Sequence, residues 1–318
     1  MQDPEKIIHF IGIGGSGMSP LAEISLKKGL NVTGSDSNQS DVTKRLENLG
    51  AKITIGHSPS NVPKKAKVIF SSAISSNNPE IQQAKRFQSK ILHRSDYLAE
   101  LMVGKKAITI AGTHGKTTTT AIISHILEKL GQKPTAAIGG QFCHSSQSSI
   151  YNDGEFFVAE TDESDGTLGK YKPFIGILTD VDIDHLDHFE SFEHIKDEFH
   201  RYLQNIDNEG CAIVFWDNEA SREVGLRYNR NRVAFGKKIG CDARILSYKS
   251  EGGQLSFRII VGKSQYSGTV PLFGYHNALN CTAALSVINF LGLDISKSIE
   301  SLKSFPGVYR RQNLLYNS

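Results

Sequence analysis

The chain lacks the features that would announce a disulfide scaffold, a membrane protein or a nucleic-acid binder. Its 318 residues hold four cysteines, Cys143, Cys211, Cys241 and Cys281, widely spaced and without a Cys-x-x-Cys pair. That usage argues against a disulfide framework and for free thiols in a reducing compartment. No stretch approaches the roughly 18 consecutive apolar residues of a membrane span. The N-terminus runs directly into an apolar strand, so no signal peptide is read and a cytoplasmic protein is expected. Charge of one sign is scarce as well, with a net charge of only +3. The basic stretch Pro63-Lys64-Lys65-Ala66-Lys67 reads as a solvated turn before a strand, not as a nucleic-acid patch. There is no internal repeat and no low-complexity segment. The length suggests about two domains, each able to bury its own core.

Two glycine-rich loops stand out against this plain background, each following an apolar strand and opening a helix. The first is Gly12-Ile13-Gly14-Gly15-Ser16-Gly17, after Ile7-Ile8-His9-Phe10-Ile11. The second is Gly112-Thr113-His114-Gly115-Lys116-Thr117, after Ala107-Ile108-Thr109-Ile110-Ala111. Glycines at this spacing allow a tight turn and close backbone approach to phosphate, and the helix N-terminus adds free N–H groups and partial positive charge. Two such loops imply two phosphorylated ligands, and so an enzyme that joins or transfers groups. By pattern alone the first loop is a dinucleotide site with NAD as default, and Asp36 stands where a ribose-binding carboxylate is expected. The diphosphate of a UDP-sugar fits the same physics.

Around these loops, short apolar strands alternate with amphipathic helices, which implies parallel sheets with right-handed crossovers. The expected elements of the first part are strand 7–13, helix 17–28 closed by Gly29, strand 32–36, helix 41–49 closed by Gly50, strand 68–70 and helix 79–87. The pattern breaks at Met102-Val103-Gly104-Lys105-Lys106, which places a boundary there. The second part reads as helix 116–130, strands 156–160 and 175–179, helix 192–206, strand 211–215, and helices 276–291 and 296–304. Residues 242–271 read as a small antiparallel insertion. The fold class is therefore α/β. Residues 1–104 form a Rossmann-like parallel-sheet domain. Residues 105–307 form a P-loop ATPase-type α/β domain, and 308–318 a hinge.

The second loop departs from the usual P-loop spacing, since Ile110 stands where its first glycine belongs. Lys116 can still reach a β/γ-phosphate and Thr117 can still meet Mg²⁺. Metal ligands are then expected where acidic residues end apolar strands, at Glu160-Thr161-Asp162-Glu163-Ser164-Asp165 and at Asp180 to His188. Activating a carboxylate with ATP brings an anion against the γ-phosphate. One unit-charge pair at about 4 Å repels by roughly 4 kcal/mol at an effective dielectric of about 20. Several such pairs exceed what one lysine offsets, and bridging Mg²⁺ ions supply the remainder. A zinc-hydrolase reading of Asp184-His185 and Asp187-His188 leaves the P-loop unexplained. His194 and His200 read as polar-face residues of their helix.

Taken together, several segments resemble the Mur ligases of bacterial cell-wall synthesis, most closely the branch that adds L-alanine to UDP-N-acetylmuramate. The carriers are Ile11-Gly12-Ile13-Gly14-Gly15-Ser16-Gly17-Met18, Ser71-Ser72-Ala73-Ile74, Ala111-Gly112-Thr113-His114-Gly115-Lys116-Thr117-Thr118, Glu160 to Asp165, Asp184-His185-Leu186-Asp187 and His276-Asn277-Ala278-Leu279-Asn280. The resemblance implies that Gly12, Gly14, Gly15, Ser16 and Gly17 bind the UDP moiety, with Asp36, Ser71 and Ser72 nearby. It implies an ATP site of Gly112 to Thr118 in which Lys116 holds the γ-phosphate. Thr117 and Glu160 would share one Mg²⁺ and His185 would help bind a second. Asn277 and Asn280 are then candidates for the adenine, and Arg311 for the ATP phosphates. The implied reaction forms an acyl phosphate on the lactyl carboxylate, which the L-alanine amine attacks.

Asp180 and Asp182 stand where the family usually has asparagine and glutamate. Phe199-His200 replaces the carbamylated lysine of other branches. The chain stops just past Arg311, so a further C-terminal domain, and with it turnover, is expected to be missing. Two other readings stay open: the relative that attaches a preformed peptide to the same sugar nucleotide, and an NAD-binding domain fused to an ATP-dependent regulator.

Overall fold

The computed structural model describes residues 7–143, 145, 147–162, 166–182 and 191–309. They divide into two compact units. One comprises residues up to Val103 with Ser148–Tyr151, the other Gly104–Gln147 with the described residues from Asn152 on.

The first unit runs β1 (Ile7–Ile11), α1 (Ser19–Lys27), β2 (Asn31–Asp36), α2 (Asp41–Asn48), β3 (Lys52–Ile55), β4 (Lys67–Phe70), α3 (Pro79–Arg86), β5 (Ile91–His93) and α4 (Arg94–Met102). The five strands are parallel in the order β3-β2-β1-β4-β5. β1 is the innermost strand, and its apolar run Ile8, Phe10 and Ile11 is buried, as expected where both faces are covered. From β1 the chain crosses first to β2 on one side and later to β4 on the other. The crevice at the carboxyl end of β1 is thus a topological switch point, where open α/β sheets bind ligands. Helix α1 starts later than expected because Gly17 and Met18 belong to the loop. Helix α2 begins with a reciprocal capping box between Ser40 and Thr43. The short strands β3 and β5 and helix α4 escape sequence reading: β3 is mostly exposed at the sheet edge, and β5 has only three residues.

The second unit contains β6 (Lys106–Ala111), α5 (Lys116–Lys129) and β7 (Thr135–Ala137). After β8 (Ser149–Ile150), which clusters with the first unit, come β9 (Phe156–Glu160), β10 (Ile175–Leu178), α6 (Phe192–Gln204), β11 (Cys211–Phe215), α7 (Glu219–Arg227) and β12 (Arg232–Gly236). The unit then continues through β13 (Ala243–Glu251), β14 (Gln254–Val261), β15 (Ser264–Val270), α8 (Tyr275–Phe290) and α9 (Ile295–Leu302). Its sheet runs β15-β14-β13-β12-β11-β10-β6-β9-β7. β6 lies between β9 and β10, both parallel to it, so the second glycine loop also leaves a switch point. The antiparallel strands expected at 242–271 are present. They extend the main sheet at its edge, because β13 pairs in parallel with β12 through Phe235–Ala243 and Gly236–Arg244.

Helix α5 buries Ile122, Ile123, Ile126 and Leu127. Helix α8 packs beside it and is buried almost all round, from Asn277 to Ile288. Such a helix belongs to the interior of a large core and lacks the apolar stripe of a surface helix.

Candidate functional site

The first candidate site is built at the carboxyl edge of β1, β2, β4 and β5. Gly12 has a left-handed φ of 76°, a conformation glycine adopts without steric cost. The N–H groups of Gly12 and Ile13 donate to the Ser35 carbonyl at 2.8 and 2.9 Å. Gly14 donates its N–H to Asp36 Oδ2 at 2.8 Å. A Cβ on Gly14 would lie 3.0 Å from that oxygen and 3.1 Å from Thr43 Cγ2. Asp36 therefore braces the loop itself, whatever it contributes to a ligand. Ser71 and Ser72 follow β4, and the Ser72 hydroxyl pairs with His93 Nε2 at 3.1 Å. Gly12, Gly14, Gly15, Ser16, Gly17, Asp36, Ser71 and Ser72 thus all stand at one sheet edge.

Two residues there were not singled out from the sequence. A Cβ on Gly17 would sit 3.0 Å from a guanidinium nitrogen of Arg94, which puts a cation against the loop. Its signal in the sequence was a charge directly after the short strand Ile91–His93. The second is Glu80, fully buried in the first turn of α3. It accepts from His9 Nε2 at 3.0 Å and Ser35 Oγ at 2.7 Å, both on Oε2, and from Asn61 Nδ2 at 2.9 Å and Ser58 N–H at 3.2 Å, both on Oε1. Burial pushes the Glu80 carboxyl up, but the hydrogen bonds from His9, Ser35 and Asn61 outweigh it and bring it to about 2. The same Ser35 holds the glycine loop with its carbonyl, so the buried carboxylate anchors the loop from behind.

The second candidate site lies at the ends of β6, β9 and β10. Gly112 and Gly115 have φ of 124° and 83°. A Cβ on Gly112 would strike Thr179 Oγ1 at 2.3 Å and the Asp180 carbonyl at 2.7 Å, and one on Gly115 would strike Asn280 Oδ1 at 2.7 Å. The loop is thus pinned between the end of β10 and the start of α8. Asp180 Oδ1 accepts the His114 N–H at 2.7 Å, and the Asp180 carbonyl accepts that of Thr113 at 3.2 Å. The Asp182 N–H donates to Thr113 Oγ1 at 3.0 Å. Burial raises the Asp180 carboxyl above its ordinary value, against the opposing His114 amide and Lys116.

Lys116 Nζ curls over the loop and donates to the Gly112 carbonyl at 2.5 Å. Thr117 Oγ1 donates to Glu160 Oε2 at 2.7 Å. A hydroxyl and a carboxylate therefore stand side by side at the start of α5, an all-oxygen pair suited to a hard cation such as Mg²⁺. Thr118 is buried in the same turn. Asn280 accepts from Thr119 Oγ1 at 3.2 Å and donates to Asn277 Oδ1 at 3.1 Å, while Asn277 Nδ2 donates to the Phe273 carbonyl at 2.7 Å. Both asparagines thus brace α8 against the loop through buried amides.

His185 and Arg311 lie outside the described residues, as do Asp184, Asp187 and His188 of the zinc reading and the acidic Glu163 and Asp165. Among the described residues no group of three or more His, Cys, Asp and Glu could hold a metal, and no helix is long and apolar enough to cross a membrane. Cys211, Cys241 and Cys281 are free thiols.

Comparison with known proteins matches these two loops to two consecutive family models. Residues 7–106 match the Mur ligase family catalytic domain, and residues 110–288 match the Mur ligase middle domain. The chain belongs to the Mur ligase family. Among its relatives is the UDP-N-acetylmuramate–L-alanine ligase of Carboxydothermus hydrogenoformans, 40% identical over 97% of this chain and 67% of that protein. The solved structure of the UDP-N-acetylmuramate–alanine ligase MurC of Thermotoga maritima superposes with a TM-score of 0.88 at 29% identity, covering 98% of this chain and 71% of that one. The UDP-N-acetylmuramate:L-alanyl-γ-D-glutamyl-meso-diaminopimelate ligase of Neisseria meningitides gives 0.86 at 25% identity, covering 96% of this chain and all of that one. This Mur ligase chain therefore spans about two thirds of the length of the L-alanine ligases it matches.

Proposed function

We propose that this chain carries the sugar-nucleotide and ATP sites of a ligase that joins L-alanine to the lactyl carboxylate of UDP-N-acetylmuramate. The observation that carries the reading is the Thr117–Glu160 pair at 2.7 Å beside Lys116 in a braced phosphate loop. It stands in a chain 40% identical to a named L-alanine ligase. Residues 1–104 take the UDP moiety and 105–307 take ATP. The Gly12–Gly17 loop takes the diphosphate through the Ser16 and Gly17 N–H groups and the N-terminus of α1, while the N–H groups of Gly12, Ile13 and Gly14 hold the loop on Ser35 and Asp36, with Arg94 adding charge. Lys116 leaves the loop carbonyls for phosphate oxygens, while Asp180 keeps the loop in shape through the His114 amide. Thr117 and Glu160 would hold Mg²⁺, which supplies charge neutralisation between the phosphates and the incoming carboxylate. The lactyl carboxylate takes the γ-phosphoryl group of ATP to give an acyl phosphate and release ADP, and the amine of L-alanine then displaces phosphate to leave the amide.

Thermal-shift titration tests the assignment. A ligand at about 100 times its Kd stabilises by about 2.7 kcal/mol, which raises the melting temperature of a domain of this size by several degrees. UDP-N-acetylmuramate is expected to give that rise and NAD none. A response to NAD alone replaces the ligase reading by a dinucleotide-binding one. Supplying the full-length enzyme with labelled L-alanine against the L-alanyl-γ-D-glutamyl-meso-diaminopimelate tripeptide then separates amino-acid from peptide transfer.

A further inference from the structure

Strand β7 ends at Ala137, and the chain continues through Ile138-Gly139-Gly140-Gln141. An ideal Cβ on Gly139 would lie 1.7 Å from Glu160 Oε1 and 2.7 Å from its Cδ. Gly139 has no left-handed φ, so an alanine could adopt its backbone. Glycine is needed there for space alone, and the space is filled by one oxygen of Glu160 while the other accepts from Thr117 Oγ1.

The next residue tightens the arrangement. A Cβ on Gly140 would meet Val308 Cγ1 at 2.7 Å and Thr117 Cγ2 at 3.0 Å. Val308 is itself buried and bridges Phe142 in antiparallel fashion. The Cys143 N–H donates to the Gly307 carbonyl at 3.2 Å, and the Tyr309 N–H to that of Gln141 at 2.7 Å. Phe305 packs edge-on against both Phe142 and His125. The glycine pair is therefore the inner edge of a ribbon held from outside, not a loose turn.

We infer that Gly139 is a positioning residue for Glu160: its missing side chain lets the carboxylate lie across the backbone and aims Oε2 at the Thr117 hydroxyl. The inference rests on the reading that Thr117 and Glu160 hold the magnesium of MgATP. Introducing a methyl at 139 displaces the far end of a flexible side chain, so the fold survives while the carboxylate leaves its place.

The test compares wild type, Gly139→Ala, Glu160→Asp and the double variant by calorimetric titration with MgATP and with ATP in EDTA, alongside melting temperatures. Gly139→Ala is expected to weaken MgATP binding by about 10–100-fold, the scale for groups that orient a metal ligand. Its affinity for metal-free ATP stays unchanged, and its Tm stays within about 2 °C of wild type. The shorter carboxylate of Glu160→Asp stops short of the new methyl, so adding Gly139→Ala to it costs less than about twofold. Equal losses in both backgrounds, or unchanged MgATP affinity in Gly139→Ala, overturn the inference alone. Should Gly139→Ala prove too unstable to purify, the double variant decides: binding and melting like Glu160→Asp supports the assignment, and shared instability overturns it. A wild-type chain that takes no MgATP sinks the proposed function and this inference with it.

Discussion

Lys116 and Gly14 perform opposite kinds of work. Lys116 acts through what it carries, a charge held over the loop by the Gly112 carbonyl. Replacing it by alanine removes the cation proposed to meet phosphate and leaves the glycine scaffold intact. ATP-dependent turnover of the full-length enzyme is expected to fall by at least about 100-fold, the cost of one charge-stabilising donor, with sugar-nucleotide affinity preserved. Equal loss of both in paired titrations contradicts separate sites. Gly14 acts through what it lacks. A valine there drives carbon against Asp36 Oδ2 and Thr43 Cγ2, where even a Cβ approaches to 3.0 and 3.1 Å. Overpacking of this kind costs about 1–3 kcal/mol, so UDP-N-acetylmuramate affinity is expected to drop roughly 10–100-fold. Unchanged affinity contradicts the loop assignment.

Among the elements, α3 shows how a helix start can govern a loop on the neighbouring strand. Pro79 opens the helix, the Asn78 side chain accepts the Glu80 N–H, and the Glu80 carboxylate points into the sheet toward His9 and Ser35. In the folded protein its carboxyl titrates near 2, against an ordinary 4.5. A depressed value means that the ionised form is favoured by folding. The contribution is fully present above pH 4.5 and is lost as pH falls toward 2. At about 1.36 kcal/mol for each pH unit separating the folded from the unfolded value, it amounts to about 3 kcal/mol. Urea unfolding at a series of pH values between about 2 and about 7 is expected to show wild type exceeding Glu80→Gln by roughly that amount above pH 4.5, the gap closing in acid. A constant gap across the series removes Glu80 from the account. The sequence hid this role because Asn78-Pro79-Glu80 reads only as a helix start. His9 and Glu80 are 71 residues apart, and only the pairing of β1 with β2 and β4 assembles them with Ser35 and Asn61.

On the scale of the whole molecule, each unit repeats one solution: parallel strands at the sheet centre, a glycine loop leaving the switch point, and neighbouring strand ends that brace it. The glycine motifs and their flanking apolar strands were legible because they obey local rules of turn geometry and periodicity. The antiparallel stretch at 242–271 was legible through short strands alternating around Gly252-Gly253 and Gly262, but not its junction with β12, which depends on a strand that short-range pattern does not reveal. The family assignment likewise rests on motifs distributed over the chain, and the two family models follow the same distribution. On the proposed reading each loop serves its own ligand, so the thermal responses to sugar nucleotide and to MgATP are expected to be separate.

What the residue order determined by itself is the local chemistry: which segments become strands, where glycine permits a backbone to meet phosphate, and which lysine and threonine open α5. These follow from interactions within a few residues, whose energetics do not await the rest of the fold. Folding decided which distant groups stand together. Glu160 meets Thr117, Asn280 meets Gly115, Arg94 meets Gly17, and the emptiness of Gly139 becomes room for a carboxylate. Those pairings depend on strand order and on packing, where a contact of about 3 Å joins residues that periodicity and spacing treat as unrelated.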